Sequence, residues 1–441
     1  MSRAWRPGRR PLAFVARGLC VISLLSGAGG ALAAKTMVIR AGHLIDVDKG
    51  TVLDDQLIRI RDGRIESIAP YSPSAVAGAP LVDWSAFTVL PGLMDMHTHL
   101  IGDIESDNPA APLLSSAARD ALLGVANART TLRAGFTTVR DVGTYRAFVD
   151  VALRDAIASG IVEGPRMFVA GAYVTVSQGG GEVTGIAPDV VVPAEMRRGV
   201  ADSEAEVRQR VREILSGGAD FIKVIATGAV LTAGTNPGSS EFTEAEIRAA
   251  VEEAASRGTF VAAHAHGAEG IKRAVRAGVR SIEHGSLIDD EGIALMVKHG
   301  TWLVADIYDG DYIEEVGRRD GWSAEILKKN QDTTDLQRSG FTKAVKAGVH
   351  IAFGTDAGVY PHGQNARQFA YMVRYGLTPL QAIRSATIDS ARLLGREREI
   401  GSIAPGKAAD VIAVGCDPLK DIECLRNIRG VIKDGRPISL D

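Results

Sequence analysis

The sequence predicts an α/β fold, a (β/α)8 (TIM) barrel joined to a small β-sandwich domain formed from both termini, and three observations carry that prediction. From Arg133 onward a unit recurs in which an amphipathic segment closes on Gly and a short β-branched run follows, as in RAGFTTVRDVG, SRGTFVAAHAHG, RAGVRSIEHG, KHGTWLVADIYD and KAGVHIAFGTDAG. Gly suits the position just past a helix end because it takes left-handed dihedrals at little cost, and the continuous apolar runs suit strands buried on both faces. Polar residues gather at the C-terminal ends of many strands, where barrel enzymes assemble their sites. An open doubly wound sheet would concentrate them at one switch point. The stretches TMVIRAGHLIDVDKGTVLDDQLIRIRDGRIESIAP and ADVIAVGCDPLKDIECLRNIRGVIKDGRPI, near opposite ends of the chain, read as short strands with Gly and Asp turns, two halves of one sandwich.

Taken in order, residues 1–33 place five arginines (Arg3, Arg6, Arg9, Arg10, Arg17) before an apolar stretch and end in Ala31-Leu32-Ala33, the small-residue pattern of a cleaved signal peptide. Gly27, Gly29 and Gly30 interrupt the short apolar stretch, so no stable membrane anchor is expected. The mature protein is expected to be exported, periplasmic or secreted, with Arg9-Arg10 leaving a twin-arginine route open. Residues 35–87 are read as the first part of the sandwich, 88–397 as the barrel and 398–441 as the second part. Eight barrel strands are expected to end near His99, Gly143, Thr175, Gly228, Gly267, Gly285, Asp309 and Ala357. Cys20 leaves with the leader. Cys416 and Cys424 remain, as a disulfide or as two buried thiols, in a compartment that permits either.

Composition narrows the function. A chain of 441 residues, 46% hydrophobic, can bury a large core. Lys plus Arg at 50 against Asp plus Glu at 53 leaves no basic field to attract nucleic acid. No nucleophile elbow of GxSxG type occurs, which removes the main serine route to acyl transfer.

The chemistry-bearing residues sit at the strand ends. In GLMDMHTHL, His97 and His99 are two apart, so in a strand both project to one face and can reach one ion. Alone, the pair is weak evidence for a metal, because solvation at a strand end explains it more simply. FIKVIATG puts Lys223 inside an apolar run, where an ammonium is costly to bury unless it snorkels or finds a partner. VAAHAHG supplies His264 and His266, SIEHGS supplies His284, and AFGTDAG supplies Asp356. Each has a bland reading, a core histidine bonded to backbone or a helix N-cap. Those readings would have to hold independently at four strand ends.

With these residues in place, the chain resembles the amidohydrolase superfamily of metal-dependent hydrolases over essentially all of the mature sequence. PGLMDMHTHL is similar to the family's first-strand HxH, KVIATG to its fourth-strand lysine, AAHAHG and SIEHG to the fifth- and sixth-strand histidines, and FGTDAG to the eighth-strand aspartate. SIAPGKAADVIAV resembles the segment that returns the chain to the β-sandwich. Within the superfamily, FTTVRDVG, KVIATGAVLTAGTNPGSSEFT and VYPHGQNA are similar to the branch of Xaa-Pro dipeptidases, related carboxypeptidases and ochratoxin-degrading amidases.

The resemblance implies two divalent metal ions, with Zn2+ expected, although manganese, cobalt and iron suit the same donors. It implies that carbon dioxide carboxylates Lys223 to N6-carboxylysine, an anionic bridge between the ions. His97, His99 and Asp356 are then ligands of one ion, and His264 and His284 of the other. His266 is left to support a ligand or contact substrate. A metal-bridging hydroxide attacks the carbonyl, and Asp356 takes its proton and passes it to the leaving amine. The implied substrate is a small-molecule amide or peptide: a dipeptide, an N-acyl amino acid or an ochratoxin-like amide. A homo-oligomer is implied as well. One departure stands out, because SQGGGEV places Gly181 where many relatives carry a histidine that contacts substrate. A cyclic amidase of imidazolonepropionase or hydantoinase type is the rival enzyme reading. A non-catalytic scaffold is the rival of another class, opposed by competent residues at all six metal positions.

Overall fold

The first strand, Thr36–Asp46, buries residues in an interrupted alternation and pairs antiparallel with Thr51–Arg61, the half-buried pattern of a sheet facing a core on one side. Gly50, at φ +70°, makes the turn between them. The computed structural model describes residues 36–76, 78–102 and 106–441. The expected leader at 1–33 lies outside the described residues. Leu81–Pro91 runs parallel to Thr36–Asp46, and on its other side pairs antiparallel with Val411–Val414, which carries Ile428–Lys433 and Arg436–Ile438. Strands from both chain ends therefore join one seven-stranded sheet, with Arg64–Pro70 at its far edge. Ile39, Leu44, Ile58, Ile60, Trp84, Val411 and Ile432 gather in a hydrophobic cluster of that sheet's own. Cys416, just after Val411–Val414, and Cys424, in the short 3-10 helix Ile422–Arg426, are disulfide-bonded with Cα atoms 5.8 Å apart.

The middle of the chain alternates strand and helix. Leu93–Thr98, Phe136–Asp141 and Arg166–Val169 form a three-stranded parallel sheet. Tyr173–Val174, Ile222–Ile225, Val261–Ala265, Ser281–His284, Trp302–Val304 and His350–Ile351 form a six-stranded one, also parallel. A parallel bridge between Thr98 and Ala357 ties the first strand of the smaller sheet to the chain just beyond the last strand of the larger. Residues of Leu93–Thr98, Phe136–Asp141, Ile222–Ile225, Val261–Ala265 and Ser281–His284 are buried throughout, which is why these strands read as continuous runs rather than alternations.

Helices follow the strands and stop where the sequence places glycine. Ala268–Ala277, Asp290–His299 and Ala324–Ala347 end on Gly278, Gly300 and Gly348, all left-handed. The helix Glu244–Ser256 starts in a capping box between Thr243 and Glu246. Two expected strand ends differ: the run expected to reach Asp309 pairs only as Trp302–Val304, because Asp309 already opens the helix Asp309–Asp320, and the run expected to reach Ala357 pairs only as His350–Ile351, with Ala357 itself in an isolated bridge to Thr98. No helix among the described residues is long and apolar enough to cross a membrane.

Candidate active site

The strand ends deliver all seven residues singled out by the sequence to one cavity. His97, His99, Lys223, His264, His266, His284 and Asp356 line it, and its volume with the open mouth is about 860 Å³. His97 and His99 share a strand face, and their Nε2 atoms approach Asp356 Oδ1 at 3.3 and 3.2 Å. The His284 ring centroid lies 4.4 Å from that of His264, 4.7 Å from His266 and 4.8 Å from His97.

Strand alternation alone would not place His284 there. Ser281 and Glu283 turn to the buried polar interior, Ile282 to the hydrophobic layer, so the next residue belongs with Ile282. His284 departs from strand geometry, at φ +69°, and its ring meets the other imidazoles instead. Asp356 is likewise left-handed, at φ +55°. Such conformations are costly for residues other than glycine and persist where the surroundings over-determine them.

Each imidazole is held by one nitrogen. Nδ1 of His97 bonds Glu283 Oε2 at 3.0 Å, that of His99 the Gly143 carbonyl at 2.9 Å, and that of His284 Asp306 Oδ2 at 2.6 Å. His266 Nδ1 meets Ser286 Oγ at 2.7 Å, and His264 Nε2 meets the Gly228 carbonyl at 3.3 Å. A ring nitrogen that donates to carbonyl or carboxylate fixes the tautomer and leaves the other nitrogen's lone pair for a cation. Burial and the neighbouring His284 lower His264 well below the usual imidazole range and His266 to about 3, so both rings are neutral near pH 7. Although burial opposes it, the contact with His97 and His99 holds Asp356 well below the ordinary carboxylate range.

These donors fit a divalent cation. The ligand atoms of His97, His99 and Asp356 lie within 4.8 Å of one another, as do those of His264, His266 and His284, and those of His284, Asp306 and Asp356. Asp356 Oδ1 is buried without a hydrogen-bond partner, a position that a cation would satisfy. His266 stands within the same ring of donors as His264 and His284, rather than apart from them. Burial lowers the Lys223 amine to about 8, against the pull of Glu283.

Beneath the imidazoles lies a buried ion pair that the sequence reading missed. Arg140 Nη2 reaches both Glu283 oxygens at 2.7 Å, Nε donates to the Met96 carbonyl at 2.6 Å, and Nη1 to Ser281 Oγ at 3.0 Å. Burial alone would raise Glu283, but Arg140 and His97 hold it well below the usual glutamate range. The available signal was the one used for Lys223: a charge inside an apolar run, here in FTTVRDVG and SIEHG. Asp306 in WLVADIYD carries the same signal, and Gln337 Nε2 donates to its other oxygen at 2.7 Å.

Glu283→Gln should therefore destabilise the fold by about 3–5 kcal/mol, because it strands a buried guanidinium. Denaturant unfolding at neutral pH measures it. Since the folded glutamate is depressed, its contribution is present above the ordinary value of 4.5 and is lost only as pH falls through the depressed one. The gap between wild type and variant should persist at pH 4.5 and close in stronger acid.

Gly181 also lines the cavity. A Cβ there would lie 2.8 Å from Ile225 Cγ1 and 3.1 Å from the Cβ atoms of Thr175 and Tyr173, so this wall is main chain pressed against its neighbours.

Parallel strands that bring imidazoles, a carboxylate and a lysine into one cavity define the class: a hydrolytic enzyme on an α/β scaffold with a candidate metal centre. The chain belongs to the amidohydrolase family, whose model matches residues 88–438. It is similar to the crystal structure of a Xaa-Pro dipeptidase with methionine bound in the active site, at 40% identity and a TM-score of 0.86, covering 92% of this chain and 100% of that one. It is 32% identical to ochratoxinase of Aspergillus niger over 419 residues, 90% of this chain and 85% of that protein. A prolidase complexed with N-methylphosphonate-L-proline superposes with a TM-score of 0.85 at 29% identity, over 92% and 99% of the two chains. Family and neighbours together make this chain a hydrolase of amide bonds.

Proposed function

We propose that the protein hydrolyses the amide or peptide bond of a dipeptide, an N-acyl amino acid or an ochratoxin-like amide at a binuclear metal centre, with zinc as the expected ion. The observation that carries this reading is the set of imidazoles, each fixed through one nitrogen, around the buried oxygen of Asp356. His97, His99 and Asp356 would hold one ion, and His264 and His284 the other. Lys223, carboxylated by carbon dioxide, would join them. With the amine near 8, a fraction of it is neutral at pH 7 and able to attack carbon dioxide, and the product exchanges a buried cation for an anion.

Bound ions supply Lewis acidity and lower the pKa of water from about 15.7 toward about 7. The chain's own residues do the rest. Asp356, held as a carboxylate beside both first-strand imidazoles, takes the proton of the attacking water and hands it to the leaving nitrogen. Glu283 and Asp306 keep His97 and His284 in the tautomer whose lone pair faces the cavity. His266, anchored by Ser286, would contact substrate.

The same reading takes the two parallel sheets as one closed eight-stranded barrel. Supporting it are the Thr98–Ala357 bridge and the short break between Arg166–Val169 and Tyr173–Val174, which read together as one third strand. It takes 35–87 and 398–441 as one β-sandwich domain, 88–397 as the barrel, 1–33 as a cleaved leader of an exported protein, and the mature chain as a homo-oligomer. The substrate is tested with a panel of dipeptides and N-acyl-phenylalanines beside imidazolone and hydantoin rings. Release of free amino acids is expected, whereas opening of the cyclic amides alone would transfer the assignment to a cyclic amidase.

A further inference from the structure

The segment VYPHGQNA takes no part in the chemistry above, yet its polar side chains reach the strands that carry the site. His362 Nε2 bonds the His99 carbonyl at 3.1 Å, and its Nδ1 lies 3.3 Å from Thr131 Oγ1. Asn365 Nδ2 donates to Asp95 Oδ2 at 2.8 Å, and Thr355 Oγ1 donates to the same oxygen at 2.6 Å. The other oxygen of Asp95 accepts the His97 amide at 3.1 Å. Asn365 Oδ1 accepts the Gly363 amide at 3.0 Å. Three residues further on, Gln368 donates to the Ala305 carbonyl at 2.5 Å and accepts the Tyr308 amide at 3.0 Å, which brackets Asp306.

His362, Asn365 and Gln368, spaced three residues apart, thus tie down the strand Leu93–Thr98 with the residue after it and the chain just beyond Trp302–Val304. Asp95, Asn365 and Gln368 are fully buried, so a lost partner there cannot be replaced by bulk water. The contacts fall on His97 and His99, on Thr355 next to the left-handed Asp356, and on both sides of Asp306. A strained carboxylate needs neighbours that allow no other conformation, and Thr355, pinned to Asp95, is the residue before it.

We propose that residues 362–368 form a clasp that sets the geometry of the His97–His99–Asp356 metal position, with Asn365 and Thr355 acting through Asp95 as positioning residues that touch neither ion nor substrate. This rests on the binuclear reading above. The test loads wild type, Asn365→Ala, Thr355→Val and Thr355→Ser with Co(II), and measures the affinity of each ion by chelator competition together with the visible absorption bands.

Asn365→Ala and Thr355→Val should weaken one ion by about 10–100-fold and shift its bands while the other ion stays bound. Thr355→Ser, which keeps the hydroxyl, should retain both. Should Asn365→Ala fail to fold, the near-isosteric Thr355→Val and its serine control decide alone. Two ions bound with wild-type affinity and spectrum in Thr355→Val would overturn the clasp and leave the metal centre standing. A wild type that takes up no cobalt would overturn both.

Discussion

Asp356→Asn is expected to abolish turnover while the chain stays folded. The substitution keeps the side-chain volume, and Asn is among the few residues that accept the left-handed φ of +55° found there. What disappears is the negative oxygen facing His97 and His99, and with it the proton acceptor. General acid–base groups contribute about 10²–10⁴-fold, and loss of a metal ligand adds to that, so kcat should fall by at least about 10³-fold. Circular dichroism separates the two consequences: a wild-type spectrum with no turnover fits the assignment. A variant retaining a tenth of the activity would remove Asp356 from the reaction.

The second large effect is expected at Lys223. Its side chain is 2% exposed, with the amine lowered to about 8 by burial. Lys223→Ala removes the group that would carry the bridging carboxylate and leaves a space at its side chain. Activity should drop by about 10²–10³-fold, the size of effect seen when one charge-stabilising group is removed. Adding a short-chain carboxylic acid such as propionate should restore part of it, because a free carboxylate can occupy the space and present the same oxygens. Lys223→Ala with unchanged turnover would show that no carboxylated lysine is used.

Much of this site was legible because its chemistry obeys local rules. His97 and His99 announce themselves by strand alternation, and Lys223, His264 and Asp356 by polarity at the ends of apolar runs. The helix stops at Gly278, Gly300 and Gly348 follow from glycine's freedom at a C-terminus. The remaining parts depend on contacts distant in sequence. Arg140 and Glu283 are 143 positions apart, and Asn365 meets Asp95 across 270. No local pattern pairs them. The sequence offers His284 as a candidate ligand, but the backbone turn that brings it into the cavity lies beyond any periodicity argument, which points it outward. The segment WLVADIYD reads as a strand ending near Asp309, whereas the pairing stops at Val304 and a helix opens at Asp309.

The depth of support under the imidazoles also bears on how the protein handles stability. A buried Arg140–Glu283 pair adds little net stability over an apolar replacement, since desolvation offsets the attraction. Its placement directly behind His97 gives it another use: the carboxylate orients the ring, and the guanidinium keeps that carboxylate ionised. Asp306, lowered to about 2 chiefly by His284 in spite of burial, serves the neighbouring ring in the same way.

Metal analysis of the purified protein, paired with amide hydrolysis before and after chelation, tests the central claim most directly. The account predicts about two divalent ions per chain, loss of hydrolysis on chelation and its return when zinc is restored. Undiminished hydrolysis by protein holding less than about one ion per chain would contradict it.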